Sequence, residues 1–193
     1  CGAWRECVRN VFCGTSSALD LKKVHEITGL PKGAKLLRDI DNHDTVTDWE
    51  GRTETVAGHD GMEQILALNY IIDGIPMVYS GNEIACCAKL NMFSNRFYRG
   101  DFEYTDRSKI NSEASLRRQF VIKELNKLKN NSDTLCKGAT VWINTEYSDS
   151  VVAFKRVFGE QKIIFAGNTK NASVDIEISE ITNNAKCLMS NNC

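Results

Sequence analysis

The sequence predicts an α/β fold followed by an all-β unit: a parallel α/β segment over residues 1–130 and an antiparallel β-sandwich over residues 131–193. Before Asn130, helical patterns alternate with short, continuously apolar strands, which is typical of a parallel sheet covered by helices. After Asn130 the hydrophobic period changes from 3.6 to 2, as expected for consecutive short strands. This change of period places a predicted domain boundary near residue 131.

Two helices are predicted at the start of the chain. Six apolar residues repeat at helical spacing within residues 1–13 and share one face: Ala3, Trp4, Cys7, Val8, Val11 and Phe12. Gly14 is expected to end this helix. Ser16 or Ser17 can cap the second helix, which is predicted to run to about Ile27.

The rest of the α/β segment alternates strands, loops and helices. In chain order the predicted elements are a strand over 34–40, a charged loop over 41–59, a helix from Asp60 to Gly74, a strand over 75–80, a long loop with aromatic residues over 81–111 and a helix from Ser112 to about Lys129. Because long loops in compact domains are usually functional, the 81–111 loop is a candidate functional segment. The last helix is expected to face inward with Leu116, Phe120, Leu125 and Leu128.

Short strands separated by turn residues fill the remainder of the sequence. The five predicted strands are ATVWINT (139–145), SVVAFKRVF (150–158), QKIIFAGN (161–168), SVDIEIS (173–179) and AKCLMS (185–190). Phe158-Gly159-Glu160 is predicted to be the tip of a hairpin. These segments together predict the β-sandwich.

Composition excludes several classes of function. The net charge of −1 gives no electrostatic reason to expect nucleic acid as a partner, and no apolar run approaches the roughly 20 residues of a membrane-spanning helix. The spacing of the eight cysteines and three histidines fits no metal site, so buried thiols in a reducing compartment, with the cytoplasm slightly favoured, are expected.

The chain starts without Met or a visible signal peptide, which suggests a processed chain or a fragment.

Ionisable side chains concentrate where the first predicted strand ends. The segment RDIDNHDTVTDWEGR (38–52) places Asn42, His43 and Asp44 directly after the apolar run 34–40. The carboxyl ends of parallel strands are where α/β enzymes hold their chemistry, although a solvated loop has the same composition. The sequence DGIPMVYSGNEI (73–84) then follows as the second strand and its turn.

These two motifs, in this order and followed by a helix and a β-sandwich, resemble the α-amylase family of glycoside hydrolases (glycoside hydrolase family 13). The resemblance implies that strands 34–40 and 75–80 are the seventh and eighth strands of a TIM (β/α)₈ barrel, and that the sandwich is the C-terminal domain. A complete barrel typically needs about 250 residues. The chain is therefore expected to lack the N-terminal barrel half, which the same parent protein or a second chain would supply.

The resemblance also implies the roles of the site residues. Asp44 would stabilise the transition state, with His43, Asn42 and Arg52 binding substrate; for Arg52 a contact with the loop is the alternative. Independently of the resemblance, Trp49 or Tyr98 could stack on a sugar face, with packing under the long loop as the favoured alternative for each. Neither the nucleophile nor the proton donor that glycoside hydrolysis requires is visible in the sequence, so both are expected to lie outside this chain.

Two functions from different classes remain open at this point, and a third hypothesis is a domain of unrelated function that kept a barrel remnant. The first is a C-terminal fragment of an enzyme acting on α-glucans, such as starch or malto-oligosaccharides, by retaining hydrolysis or transglycosylation, the isolated chain being inactive. The alternative is a non-catalytic carbohydrate-binding or scaffold module. No cofactor is expected in this chain, while calcium in a longer parent enzyme is left open.

Overall fold

The computed structural model describes residues 2–26, 30–31, 33–46, 51–89, 110–181 and 184–191. The helices are α1 (Gly2–Phe12), α2 (Leu19–His25), α3 (Thr53–Ile71), α4 (Glu113–Asn130) and α5 (Asp133–Lys137). The strands are β1 (Leu37–Arg38), β2 (Ile75–Pro76), β3 (Ala139–Trp142), β4 (Val151–Phe158) and β5 (Gln161–Asn168). None of the helices in these ranges is long and apolar enough to cross a membrane.

Helix α1 forms as its apolar spacing predicts. Trp4, Cys7, Val8 and Val11 are buried on one face, and Gly14 ends the helix region with a φ of +81°, a conformation that favours glycine. Helix α2 is shorter than predicted and begins at Leu19, whose N–H donates to Oγ of Ser17. The predicted end of this helix at Ile27 lies outside the described residues.

Strands β1 and β2 pair in parallel, as predicted, but each has only two residues. Leu37 lies opposite Ile75 and Arg38 opposite Pro76. The strands predicted over 34–40 and 75–80 are therefore too long. Pro76 has no N–H to donate to a ladder, and within the described residues neither strand has a second neighbour that could extend the pairing.

Helix α3 starts at Thr53 instead of Asp60, which corrects the predicted start by seven positions. Gly58, with a φ of +71°, interrupts its helical geometry. The sequence pattern identified only the part after this kink, because Gly58 and the charged residues around it are typical of a loop. The residues 53–57 fold back as an additional helical turn next to the β1 loop.

Helix α4 has the predicted capping residue but a different buried face. The Ser112 side chain accepts a hydrogen bond from the Ser115 N–H, as an N-cap does. Leu125 is buried as expected, whereas Leu116 is 53% exposed and Phe120 is 62% exposed, so their predicted inward orientation is wrong. The helix instead buries polar side chains, including Arg118, whose guanidinium bonds with Glu54 of α3.

The C-terminal sheet is three-stranded and antiparallel, with β4 in the centre. Gly159, with a φ of +59°, and Glu160 form the turn between β4 and β5, which confirms the predicted hairpin tip. Strands predicted over 173–179 and 185–190 do not form in the described residues. Exposed and less exposed side chains still alternate over 173–178, as in a strand. A strand also needs a hydrogen-bonded partner strand, and alternation alone does not provide one. The second sheet of a sandwich thus stays a prediction.

One hydrophobic core joins the helices to this sheet. It includes Trp4 of α1 and Phe154 of β4, so it is continuous across residue 131, and the domain boundary there stays a prediction. Five rings form a row through it, which we call the aromatic row: Trp4, His25, Trp142, Phe154 and Phe165, with successive ring centroids 6.5, 5.5, 5.5 and 5.2 Å apart. His25 accepts at Nδ1 from the indole N–H of Trp142 and therefore donates from Nε2 to Asp73.

The cysteines only partly follow the expectation of buried thiols. Cys7 and Cys86 are buried, whereas Cys13, Cys87 and Cys187 are exposed, so the expectation is wrong for these three. Burial raises the pKa of the Cys7 thiol to about 11. In the described ranges Cys7, Cys13, Cys136 and Cys187 are free thiols.

Candidate functional site

The loop that follows β1, residues 39–46, presents two predicted site residues to solvent. The Asp44 side chain is 70% exposed and the His43 side chain 49% exposed, and His43 Nε2 lies 3.3 Å from Asp44 Oδ1. Because β1 and β2 run in parallel, this loop lies at the same edge of the sheet as the loop after β2. A carboxylate and an imidazole are therefore accessible at the carboxyl end of parallel strands.

Asn42 shapes the loop from within. Its side-chain oxygen accepts hydrogen bonds from the backbone N–H groups of Asp44 (2.9 Å) and Thr45 (3.2 Å). Its amide nitrogen donates to Asp39 Oδ2 at 3.0 Å, and Asp39 also contacts the guanidinium of Arg5 on α1. This asparagine thus holds the turn that carries Asp44.

Asp41 is buried below this turn and was not identified from the sequence. Its Oδ1 accepts from the backbone N–H of Thr53 at 2.9 Å and from the Thr53 hydroxyl at 2.7 Å. Its Oδ2 accepts from the side-chain amide of Asn82 at 2.7 Å. Thr53 is a residue type that favours helix starts, and this signal could have revealed the first turn of α3.

Arg52, a predicted substrate-binding residue, is fully buried. Its Nε donates to the carbonyl of Ala88 at 2.8 Å, and its guanidinium lies 5.9 Å from the ring centroid of Tyr79. Among the residues that the structure describes, neither Nη1 nor Nη2 has a hydrogen-bond partner. Gly81 packs directly against it. Arg52 thus contacts the loop after β2, and its predicted role in substrate binding stays a prediction.

The loop after β2 is fixed by its own side chains. Asn82 accepts from the Tyr79 N–H at 3.0 Å, and Glu83 accepts from the Gly81 N–H at 2.8 Å. The backbone carbonyl of Asn82 accepts from Arg118 at 3.2 Å. Tyr79 and Glu83 therefore take part in the hydrogen bonds that shape this loop.

Asp44 and His43 are the accessible groups of this loop, and both can bind hydroxyls. Asp44 can accept hydrogen bonds from a sugar, whereas the neighbouring Asp39 and Asp41 are buried and already bonded. Hydrolysis needs a proton donor and a second carboxyl group across the scissile bond. In the described ranges no three His, Cys, Asp or Glu side chains are grouped as metal ligands would be. Trp49 and Tyr98 lie outside those ranges.

Comparisons with known proteins give no match to a family model and none to a curated protein sequence. Solved structures do match. A maltogenic alpha-amylase from Thermotoga neapolitana is similar with a TM-score of 0.68 and 18% identity over 90% of this chain and 39% of that chain. A cyclomaltodextrinase gives a TM-score of 0.64 and 18% identity over 86% of this chain and 27% of that chain. A cyclic α-maltosyl-(1→6)-maltose hydrolase from Arthrobacter globiformis gives a TM-score of 0.66 and 18% identity over 86% of this chain and 36% of that chain.

The chain thus spans between about a quarter and two fifths of the length of these three proteins. At 18% identity the likeness concerns the fold. It covers nearly all of this chain, and it agrees with the resemblance that the two loop motifs indicate. The chain therefore has the fold of a portion of the α-amylase type of glycoside hydrolase.

Proposed function

We propose that this chain is the C-terminal part of a glycoside hydrolase of the α-amylase family that acts on α-glucans by retaining hydrolysis or transglycosylation. The observation that carries the proposal is the exposed Asp44–His43 pair on a braced turn at the carboxyl end of β1. The fold likeness to enzymes named for maltose-containing substrates supports it. The activity belongs to the complete parent protein.

Asp44 would act on the sugar at the cleavage point. A carboxylate that accepts bonds from ring hydroxyls stabilises the transition state if these bonds strengthen as the ring flattens toward an oxocarbenium ion. His43 would add a further hydrogen bond. Since the backbone N–H of Asp44 is held by Asn42, the turn that carries the carboxylate is already formed before substrate binds, which reduces the entropy lost on binding.

The nucleophile and the proton donor would come from the preceding part of the barrel. An apolar surface is available for that part, because Leu37 and Ile75 lie opposite each other on β1 and β2 and are each about half exposed. Large apolar side chains on a sheet are normally covered. We therefore expect the N-terminal barrel half to pack on this pair of strands.

Substitution of Asp44 in the full-length gene product tests the proposal. Asp44→Asn should lower kcat and kcat/KM on a malto-oligosaccharide by on the order of 10²-fold, about 3 kcal/mol, because it removes a charged contact made in the transition state. His43→Ala should cost less. Glu160→Gln, at the exposed hairpin tip, is the matched control and should leave turnover unchanged.

The isolated 193-residue chain should release no reducing sugar from α-glucans. Release that Asp44→Asn abolishes would show that the chain has its own catalytic pair. Full kcat in the Asp44→Asn enzyme would refute the role of Asp44. Binding of malto-oligosaccharide by the full-length protein without any turnover would instead indicate a carbohydrate-binding module.

A further inference from the structure

Asp41 is a buried carboxylate at the centre of the contacts between the two strand-end loops. Asp41 and its bonding partners Thr53 and Asn82 are all fully or almost fully buried. A buried carboxylate is costly unless its lone pairs are used, and here three donors at 2.7–2.9 Å use them. Arg9 Nη1 lies 3.9 Å from Asp41 Oδ1 and gives additional compensation.

The three bonds connect parts of the chain that are far apart in sequence. Thr53 starts α3, and Asn82 belongs to the loop after β2. Asn82 is itself held from the other side, because its carbonyl accepts from Arg118 of α4. The carboxylate of Asp41 thus fixes the end of β1 relative to α3, to the β2 loop and, through Asn82, to α4.

The segment after Asp41 leads directly to the exposed pair. Asn42, the next residue, holds the N–H groups of Asp44 and Thr45. Any displacement of Asp41 therefore moves the anchor of the turn on which Asp44 lies. We propose that Asp41 is a positioning residue that sets the location of the Asp44 carboxylate through Asn42, and that its bond with Asn82 is the contact that fixes it.

This inference rests on the proposed function, since positioning matters only if Asp44 contacts substrate. Asp41→Asn keeps the shape of the side chain but replaces one acceptor by an NH₂ group. If the remaining oxygen faces Thr53, the new NH₂ group faces the NH₂ group of Asn82, and two donors oppose each other. Asn82→Asp alone instead places two carboxylates together in a buried site.

The exchanged pair, Asp41→Asn with Asn82→Asp, restores the contact. The amide of residue 41 then donates to the carboxylate of residue 82, its oxygen still accepts from Thr53, and residue 82 still accepts from the Tyr79 N–H. The exchange restores both the hydrogen bond and the single carboxylate of the pair. The two single substitutions change the charge in opposite directions, since Asp41→Asn removes a carboxylate and Asn82→Asp adds one. A lower kcat in both single variants that the exchange reverses therefore reports the lost bond and not a loss of charge alone.

The experiment measures kcat and KM of the full-length gene product on a 4-nitrophenyl malto-oligosaccharide, at a temperature at which circular dichroism shows each variant to be folded. Asp41→Asn should lower kcat about 10- to 100-fold with little change in KM, since misplacement by about 1 Å can cost 10²-fold. The exchanged pair should recover at least about tenfold of this loss. Glu63→Gln is the control, because it also removes a buried carboxylate with three hydrogen bonds, to Arg117, and should keep kcat.

Retention of kcat within about threefold in Asp41→Asn, or a stable exchanged pair without recovery, would overturn the inference. If Asp41→Asn does not fold, Asn82→Ala replaces it, because it leaves both bonds from Thr53 in place and should still lower kcat. Full activity of Asp44→Asn would refute the proposed function instead. Hydrogen exchange at the backbone amides of Asp44 and Thr45 then tests the positioning role of Asp41 independently of activity. Faster hydrogen exchange in Asp41→Asn that the double variant Asp41→Asn/Asn82→Asp reverses supports this role. An unchanged hydrogen-exchange rate in Asp41→Asn overturns it.

Discussion

Gly81→Ala should destabilise the protein by far more than a glycine replacement in an open turn. Gly81 has a φ of +99°, and an added Cβ would lie 2.7 Å from Arg52 Nη2 and 2.9 Å from Cζ. The conformation costs an L-residue about 1–3 kcal/mol, and overpacking adds about 1–3 kcal/mol. The guanidinium is the flexible end of its side chain, but it is fully buried and its Nε is bonded to Ala88. It can therefore yield only by breaking that bond.

Gly14→Ala supplies the control, because Gly14 has a φ of +81° and no atom within 4 Å of the added Cβ. Thermal unfolding should show a Tm that is lower by roughly 2–12 °C in Gly81→Ala than in Gly14→Ala, from about 2–4 °C per kcal/mol at this chain length. In an Arg52→Ala background the excess should disappear, since the clashing group is gone. Equal Tm values for the two glycine variants would refute the packing of Arg52 under Gly81.

Glu54→Gln leaves the buried Arg118 without its counter-charge and should cost about 3–5 kcal/mol in urea unfolding; a loss below about 1 kcal/mol would contradict a buried ion pair. Burial lowers the pKa of Lys129 to about 8, against about 10.4 in an unfolded chain. Between these values the folded chain binds fewer protons than the unfolded one, so stability rises with pH. The free energy of unfolding of Lys129→Met, measured with urea, should not show that rise with pH. A pH dependence identical to that of the unsubstituted chain would contradict the lowered pKa of Lys129. Iodoacetamide at neutral pH should alkylate exposed Cys13 well before Cys7, whose buried thiol has a raised pKa; mass spectrometry showing the reverse order would contradict the burial of Cys7.

The sequence predicted those elements whose burial is encoded locally. The apolar spacing of α1 identified the buried face with Trp4 and Val8, because helix geometry alone brings such residues together. The same rule failed for α4, where Leu116 and Phe120 are exposed and Arg118 is buried. Arg118 bonds with Glu54, 64 positions earlier in the chain, and such a partner is not visible in the spacing of one helix.

The candidate site was predictable only at its surface. Asn42, His43 and Asp44 form a contiguous motif, so their identity could be found without the fold. Asp41 precedes them directly, yet its bonding partners are 12 and 41 positions away. Its role follows from tertiary structure, because an aspartate before a loop has the same appearance in the sequence whether it is solvated or buried.

The aromatic row has a bearing on how the chain is synthesised. Its first ring is Trp4 and its last is Phe165, and a ribosome adds about 5–20 residues per second. The roughly 160 residues between these rings therefore take on the order of 8–30 s to emerge. During this interval His25 has no Trp142 to bond with, and the helices that border the row lack their cover from the sheet. A nascent chain paused near residue 131 would expose the apolar surface of these helices, to which chaperones bind. Its native packing would be completed only after β5 has left the exit tunnel.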